Sequence, residues 1–302
     1  MYGRNNMLGG LAVGGLLLAA GCGGTTDGTT GPDPDFDFNR PLIAFVSDRS
    51  GNAEIWLMTT DGSESVNVSN NGASDIAPTW SPDGNRLAFT STRGGDYEVY
   101  VMDKDGTDVR QLTDAAGWSG DAAWSPDGSK IAFTSDRSGD YEIYVVAATG
   151  GTATRLTSVA GDDTHPQWSP DGTRILFSSA RAGNGDVFVM NADGSNPVNL
   201  TSNPAFDCAP AWSPDGTRIS FVTNRDGNLE VYLMNADGSA PTNLTQNPAS
   251  EENSWWSADG TRLVFDTNRD GNWNVYSVLV GGTGLTQLTT NTADDATPRY
   301  RH

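Results

Sequence analysis

Trp80-Ser81-Pro82-Asp83-Gly84 decides the fold, because the chain writes it again at Trp124–Gly128, Trp168–Gly172 and Trp212–Gly216. A near copy, Trp-Ser-Ala-Asp-Gly, stands at Trp256–Gly260. Each copy begins 44 residues after the one before. With the tryptophan as position zero, position nine holds Phe89, Phe133, Phe177, Phe221 and Phe265. Position thirteen holds Arg93, Arg137, Arg181, Arg225 and Arg269, and position twenty is Tyr100, Tyr144, Phe188, Tyr232 or Tyr276. At position thirty-two stand Leu112, Leu156, Leu200, Leu244 and Leu288, each followed by threonine.

The phase extends in both directions. One period upstream it meets Phe45, Arg49, Trp56 and Val68, so a unit is present there without its first strand. One period downstream, position zero falls on Tyr300, and Thr297-Pro298-Arg299-Tyr300 matches Ala77-Pro78-Thr79-Trp80. The two incomplete ends make one unit, for six in all.

Within a unit the segments are short and β-rich. Ala209–Trp212 reads as a first strand, Ser-Pro-Asp-Gly as the turn, Arg218–Val222 as the second strand, Glu230–Met234 as the third and Thr242–Thr245 as the fourth. Proline suits the second position of a type I turn, and a terminal glycine allows positive φ. Asp237-Gly238 marks the turn between the last two strands. Four strands per repeat of this length specify a propeller blade. The expected fold is therefore all-β: a six-bladed propeller closed by the C-terminal strand joining the N-terminal blade, which leaves no open edge at the seam. Blades are expected at about 42–70 plus 296–302, 74–114, 118–158, 162–202, 206–246 and 250–290. The repeated aromatic positions are expected to pack between blades.

Upstream of the repeat, Met7–Ala20 is apolar or glycine, too short for a stable membrane helix. It runs into Leu18-Ala19-Ala20-Gly21-Cys22, which resembles a bacterial lipobox, with Ala19 where leucine is usual. Residues 1–21 are thus expected to be a lipoprotein signal peptide and Cys22 the lipidated residue. Residues 22–41, rich in Gly, Thr, Asp and Pro, read as a tether reaching on the order of 25 Å. The expected location is outside the cytoplasm, on a membrane facing periplasm or cell surface, held by lipid alone. Cys208 is the one other cysteine, so no disulfide framework exists; a small buried strand residue is expected there.

The 302 residues carry a formal charge of −20 with two lysines, Lys104 and Lys130. Such a surface repels phosphate backbones and argues against nucleic-acid binding. Only two histidines occur, His165 and His302, and no Gly-x-Ser-x-Gly elbow or phosphate loop is present. A histidine metal site or Ser-His-Asp triad finds no partners, so no catalytic residues and no cofactor are expected. Calcium alone is compatible with the abundant oxygen ligands, though no loop has a full calcium spacing.

The Pro-x-Trp-Ser-Pro-Asp-Gly turn, the Ile-Ala-Phe-Thr-Ser-Asp-Arg strand at 131–137 and the Glu-Ile-Tyr-Val strand at 142–145 together resemble the TolB-type propeller repeat, a relative in shape of the WD-repeat propellers. The resemblance covers residues 42–302. It is to the propeller half of TolB, without a counterpart of the α/β domain that precedes it in that family. It implies a cell-envelope setting and a protein partner bound at the propeller face. The chain itself is expected to be a monomer that does no chemistry.

Two sets of polar residues are the candidate site. Five positions before zero stand Asp75, Asp163, Asp207, Glu251 and Asp295, with Ser119 in the remaining blade and Asp121 nearby. Strand alternation puts them on the face that carries Arg49, Arg93, Arg137, Arg181, Arg225 and Arg269. Those arginines are expected to clamp carboxylates or carbonyls as part of the blade; carboxylates left free would bind a cation or a basic peptide. The inner strands differ most just before position zero, where Asp121, His165, Cys208, Asn253, Trp255 and Arg299 break the pattern. The candidate binding face is Asp75, Asp121, Asp163, His165, Asp207, Glu251, Asp295 and Arg299. Two other readings stand beside partner binding: a propeller that binds or processes carbohydrate with carboxylates at the channel mouth, and a structural envelope lipoprotein.

Overall fold

The computed structural model describes residues 35–302. The expected signal peptide, Cys22 and most of the expected tether lie outside the described residues. Among the described residues every regular element is a strand, and the strands form six four-stranded antiparallel sheets. In the second blade, β4 (Asp75–Trp80), β5 (Arg86–Ser91), β6 (Glu98–Asp103) and β7 (Arg110–Gln111) run from the inside outward. Four more sheets repeat this order, beginning with β8 (Ser119–Trp124), β12 (Asp163–Trp168), β16 (Asp207–Trp212) and β20 (Glu251–Trp256). In the first blade β24 (Asp295–Tyr300) pairs with β1 (Leu42–Ser47), which is followed by β2 (Glu54–Thr59) and β3 (Ser65–Asn67). The two ends of the repeat thus meet in one sheet, as the phase predicts. Outer strands after the first blade are two residues long, which leaves little edge for another chain to pair with.

The core lies between blades. Phe45, Phe89, Phe133, Phe177, Phe221 and Phe265 are all fully buried. Ala88, Val99 and Val101 of the second blade pack on Trp124, Ile131, Phe133 and Tyr144 of the third, and the same joint recurs around the ring. A buried aromatic contributes roughly 2–3 kcal/mol by removing apolar area from water, and the repeat supplies several per joint.

The Trp-Ser-Pro-Asp-Gly segment is both a turn and a joint. The Ser81 hydroxyl donates to Asp83 (2.6 Å) and accepts from the Arg86 N–H (2.9 Å), while the Gly84 N–H donates to the Ser81 carbonyl (2.8 Å). Gly84 has φ near 65°, a conformation costly for a side chain. Proline of one turn faces glycine of the next, as with Pro126 and Gly172. The threonine after each repeated leucine is also explained. Its hydroxyl, or that of Ser69 in the first blade, accepts the N–H of a third-strand residue in all six blades, as Thr113 does from Val99 (2.9 Å).

The folded body begins slightly earlier than the composition suggests. Phe36 and Phe38 pack against the first blade, and Arg301 donates to the Phe38 carbonyl (2.7 Å), so the end of the tether is docked. Because β24 is the innermost strand of the first blade, deleting residues 295–302 should expose β1 and open the ring. The expected outcome is loss of the cooperative thermal transition and a shift to aggregates in size-exclusion chromatography.

Candidate functional site

Each inner strand breaks its register in the same place. The residues three before position zero are Ala77, Asp121, His165, Ala209, Asn253 and Thr297, all with φ between 47° and 53°. This is a β-bulge repeated six times. Four of the blades place proline after the bulged residue: Pro78, Pro166, Pro210 and Pro298. The two that lack it have Asp121 and Asn253, residue types that tolerate the left-handed region best. Three bulge N–H groups are capped by the preceding blade: His165 by the Thr134 hydroxyl (3.2 Å), Ala209 by Ser178 (3.0 Å) and Thr297 by Asp266 (3.2 Å).

The bulges aim side chains into the central channel. A cavity of about 40 Å³ there is lined by Asp121, His165, Asn253, Trp255 and Arg299, with Thr79, Gln167, Ala77, Ala209 and Ala211 completing the wall. His165 Nε2 lies 3.9 Å from Asp121 Oδ2, and His165 Nδ1 is 2.9 Å from the Thr164 hydroxyl. Arg299 stacks on Trp255 with its guanidinium carbon 4.6 Å from the ring centre, and Trp255 donates to His302 (3.0 Å). Burial brings the Arg299 guanidinium down to about 10, against the opposing pull of Asp266 and Asp121, so it stays charged at neutral pH.

The sequence grouped eight residues on one face, and the structure divides them. Asp121, His165 and Arg299 line the channel. Asp75, Asp163, Asp207, Glu251 and Asp295 have no exposed surface and sit inside the arginine clamps. The contacts are Arg93–Asp75 (2.8 Å), Arg181–Asp163 (2.5 Å), Arg225–Asp207 (3.2 Å), Arg269–Glu251 (3.0 Å) and Arg49–Asp295 (2.9 Å). In the exceptional blade Arg137 bonds the Ser119 hydroxyl instead (3.0 Å). Each guanidinium also lies over two rings of its own blade, as Arg181 over Phe177 (5.2 Å) and Phe188 (5.1 Å). Its Nε donates to a Ser or Thr hydroxyl at the end of the second strand, for example Ser179 (2.8 Å). An open acidic ring is therefore absent at these five positions. Cys208 is buried on its strand, and burial pushes its thiol well up.

Two acids escaped the sequence reading. Glu252 and Asp266 face each other as a cross-strand pair, both buried. Asp266 accepts from Asn253 (3.2 Å) and from the Thr297 N–H, whereas Glu252 Oε2 is buried without a partner. Burial, then the Asp266 charge, pushes Glu252 up to about 8; burial alone dominates at Asp266, which rises to about 6. The available signal was departure from the repeat, since the matching positions elsewhere are aliphatic, small or hydroxyl-bearing (Ile76 and Thr90, Thr164 and Ser178). Trp118, which replaces a polar residue of the repeat in its loop, joins a half-exposed apolar rim where the inner strands begin, whose other members the sequence did not single out: Tyr97, Tyr141, Leu229 and Trp273, with Phe206. The carbonyls of Tyr97, Tyr141, Leu229 and Trp273 accept the N–H of the next inner strand's first residue, which fixes them at the channel mouth. Trp118 meets Tyr141 edge-on at 5.7 Å. Among the described residues no group of three or more His, Cys, Asp or Glu is arranged to hold a metal ion, and no helix is long and apolar enough to cross a membrane.

The family profile described as the TolB beta propeller domain matches residues 32–157, 117–207 and 199–302. The chain belongs to the TolB beta-propeller family. Among solved structures it resembles TolB from Acinetobacter baumannii, at 23% identity and a TM-score of 0.78, over 86% of this chain and 66% of that one. This chain thus spans slightly under two thirds of that protein. It also resembles a putative TolB from Agrobacterium tumefaciens, at 22% identity and a TM-score of 0.69, over 86% of this chain and 98% of that one. A more distant likeness is to an oligogalacturonate lyase from Vibrio parahaemolyticus, at 15% identity and a TM-score of 0.56, over 85% of this chain and 76% of that one. At these identities the likeness is one of fold. A comparison with curated protein sequences returned no match.

Two outcomes follow from the buried carboxylates. Asp163→Asn leaves the desolvated Arg181 without its counter-charge, and should lower the unfolding free energy by about 3 kcal/mol, read from the urea midpoint. Glu252 is protonated more readily folded than unfolded. Between its ordinary value near 4.5 and about 8 the native state therefore holds the extra proton, and stability falls as pH rises. Glu252→Gln should flatten that decline and raise the melting temperature at pH 8 more than at pH 5.

Proposed function

We propose that the chain is a non-catalytic, exported TolB-like propeller that binds a protein or peptide partner on the face where its inner strands begin. The observation that carries this reading is the rim of Tyr97, Trp118, Tyr141, Phe206, Leu229 and Trp273 around the channel mouth, all half-exposed on a closed, rigid ring. Large side chains with an apolar body suit the centre of a binding surface. Exposed Asp96, Asp140, Asp226 and Asp270 stand on the turns outside them, and the charge of −20 favours a basic partner. The partner chemistry is thus an apolar anchor flanked by lysine or arginine. An envelope location is part of the same reading and agrees with the family; the reading adds Cys22 as the lipidated residue and the tether as what holds the disc near a membrane.

A carbohydrate-processing propeller needs two free carboxyl groups across a substrate. The pairing of Asp75, Asp163, Asp207, Glu251 and Asp295 with arginine counts against it. The test is affinity capture from envelope extract with residues 23–302 as bait, beside Trp118→Ala/Tyr141→Ala and an outer-strand control, Val198→Ala. A protein held by wild type and control, and lost by the double variant with its melting temperature intact, is the expected result. Equal capture by all three would move the site off this rim. Retention of glycan in place of protein would favour the carbohydrate reading.

A further inference from the structure

The channel raises a separate question, independent of any partner at the rim. Arg299 sits on the closing strand, in the cavity wall, half-buried and stacked on Trp255. Its Nη1 donates only to two backbone carbonyls, Pro298 (3.0 Å) and Asn253 (3.3 Å). No carboxylate lies within ion-pair distance of it among the described residues, whereas five of the six repeated arginines have one. Asp266, the acid behind it, already accepts from Asn253 and Thr297. A half-buried guanidinium without a contacting counter-charge leaves its free edge open to an acceptor better matched than water.

We propose that the channel cavity is a binding site for a small organic monocarboxylate, held by the guanidinium of Arg299 over the Trp255 ring. Three properties of the wall select this chemistry. The planar fork of arginine matches a carboxylate through two parallel hydrogen bonds. A volume of about 40 Å³ admits a carboxylate head, roughly the room of three waters. Asp121 and Asp266 act on Arg299 through their charges and offset much of its pull on any anion, so shape selects the ligand, and a planar carboxylate edge fits the guanidinium fork better than a tetrahedral sulfate or phosphate. Ala77, Ala209 and Ala211 add apolar wall for a short alkyl substituent, and the Gln167 amide, which makes no other hydrogen bond among the described residues, is a second donor. A cation is disfavoured by Arg299 itself.

The experiment is a titration of the purified protein followed by the Trp255 indole N–H resonance, assigned by its loss in Trp255→Phe. Acetate and propionate are added at constant pH and ionic strength, with chloride, sulfate and methylammonium as controls. A capped tripeptide bearing one glutamate, beside its glutamine counterpart, distinguishes a free acid from a side-chain carboxylate. The expected result is a saturable shift with the carboxylates alone, weakened at least tenfold in Arg299→Gln and partly restored in Arg299→Lys. No saturable shift, an equal response to sulfate or chloride, or an unchanged response in Arg299→Gln would overturn the proposal. Should Arg299→Gln melt early, Gln167→Ala gives the second reading: weaker carboxylate binding supports the site, and unchanged binding rejects it.

Discussion

The clamp formed by each repeated arginine is the interaction on which the ring depends. One guanidinium lies over two aromatic rings of its blade, bonds a hydroxyl at the end of the second strand, and grips a carboxylate at the start of the first. That single group ties three strands together at one end of the sheet. A lone charge is costly to hold this way. It is tolerated because the cation has both a charged partner and aromatic faces, and each acid has a cation. The blade with Ser119 keeps the stacking and the hydroxyl bonds while losing the ion pair, so the geometry outlasts the charge that usually accompanies it.

Almost all of this architecture was legible in the chain. A fixed spacing of tryptophan, phenylalanine, arginine and tyrosine specifies strands, turns and the inter-blade core together, because a repeated fold must reuse the same contacts. Even the seam was readable, since Tyr300 falls in phase with five tryptophans. The site was harder to read. Alternation along a strand places Asp75 and its equivalents on the arginine-bearing face, but says nothing about whether a carboxylate on that face is open or enclosed. The bulge is likewise silent: no residue type marks it in all six blades, and it shifts by one position which side chains enter the channel. His165 and Arg299 were visible as departures from the pattern. Glu252 and Asp266 were departures too, but their meaning depends on a cross-strand register that only the folded sheet displays.

The repeat therefore divides the labour of the sequence. The repeated phenylalanines and the carboxylates gripped by the repeated arginines hold the disc together, and they are enclosed. Positions that differ are gathered by the ring into two places, the channel wall and the rim at one mouth. Six-fold symmetry in the backbone thus yields a surface without symmetry. Asp121, His165 and Arg299 face one another although 178 residues separate the first from the last (299 − 121).

The Trp-Ser-Pro-Asp-Gly turns have one more effect. Their aspartates accept from Ser or Thr hydroxyls and backbone N–H groups, which hold Asp127, Asp171 and Asp215 near 2 and lower Asp83 and Asp259 as well. Hydrogen bonds to the ionised form cause the depression. All five stand on the side of the disc opposite the arginine clamps, while burial moves Asp163, Asp207 and Glu251 the other way. Acidification consequently discharges the molecule unevenly. Protons settle first around the clamps, and the far side stays negative to the end. In mild acid the disc becomes an electrical dipole along its own axis, with a built-in sense of which side faces a charged surface.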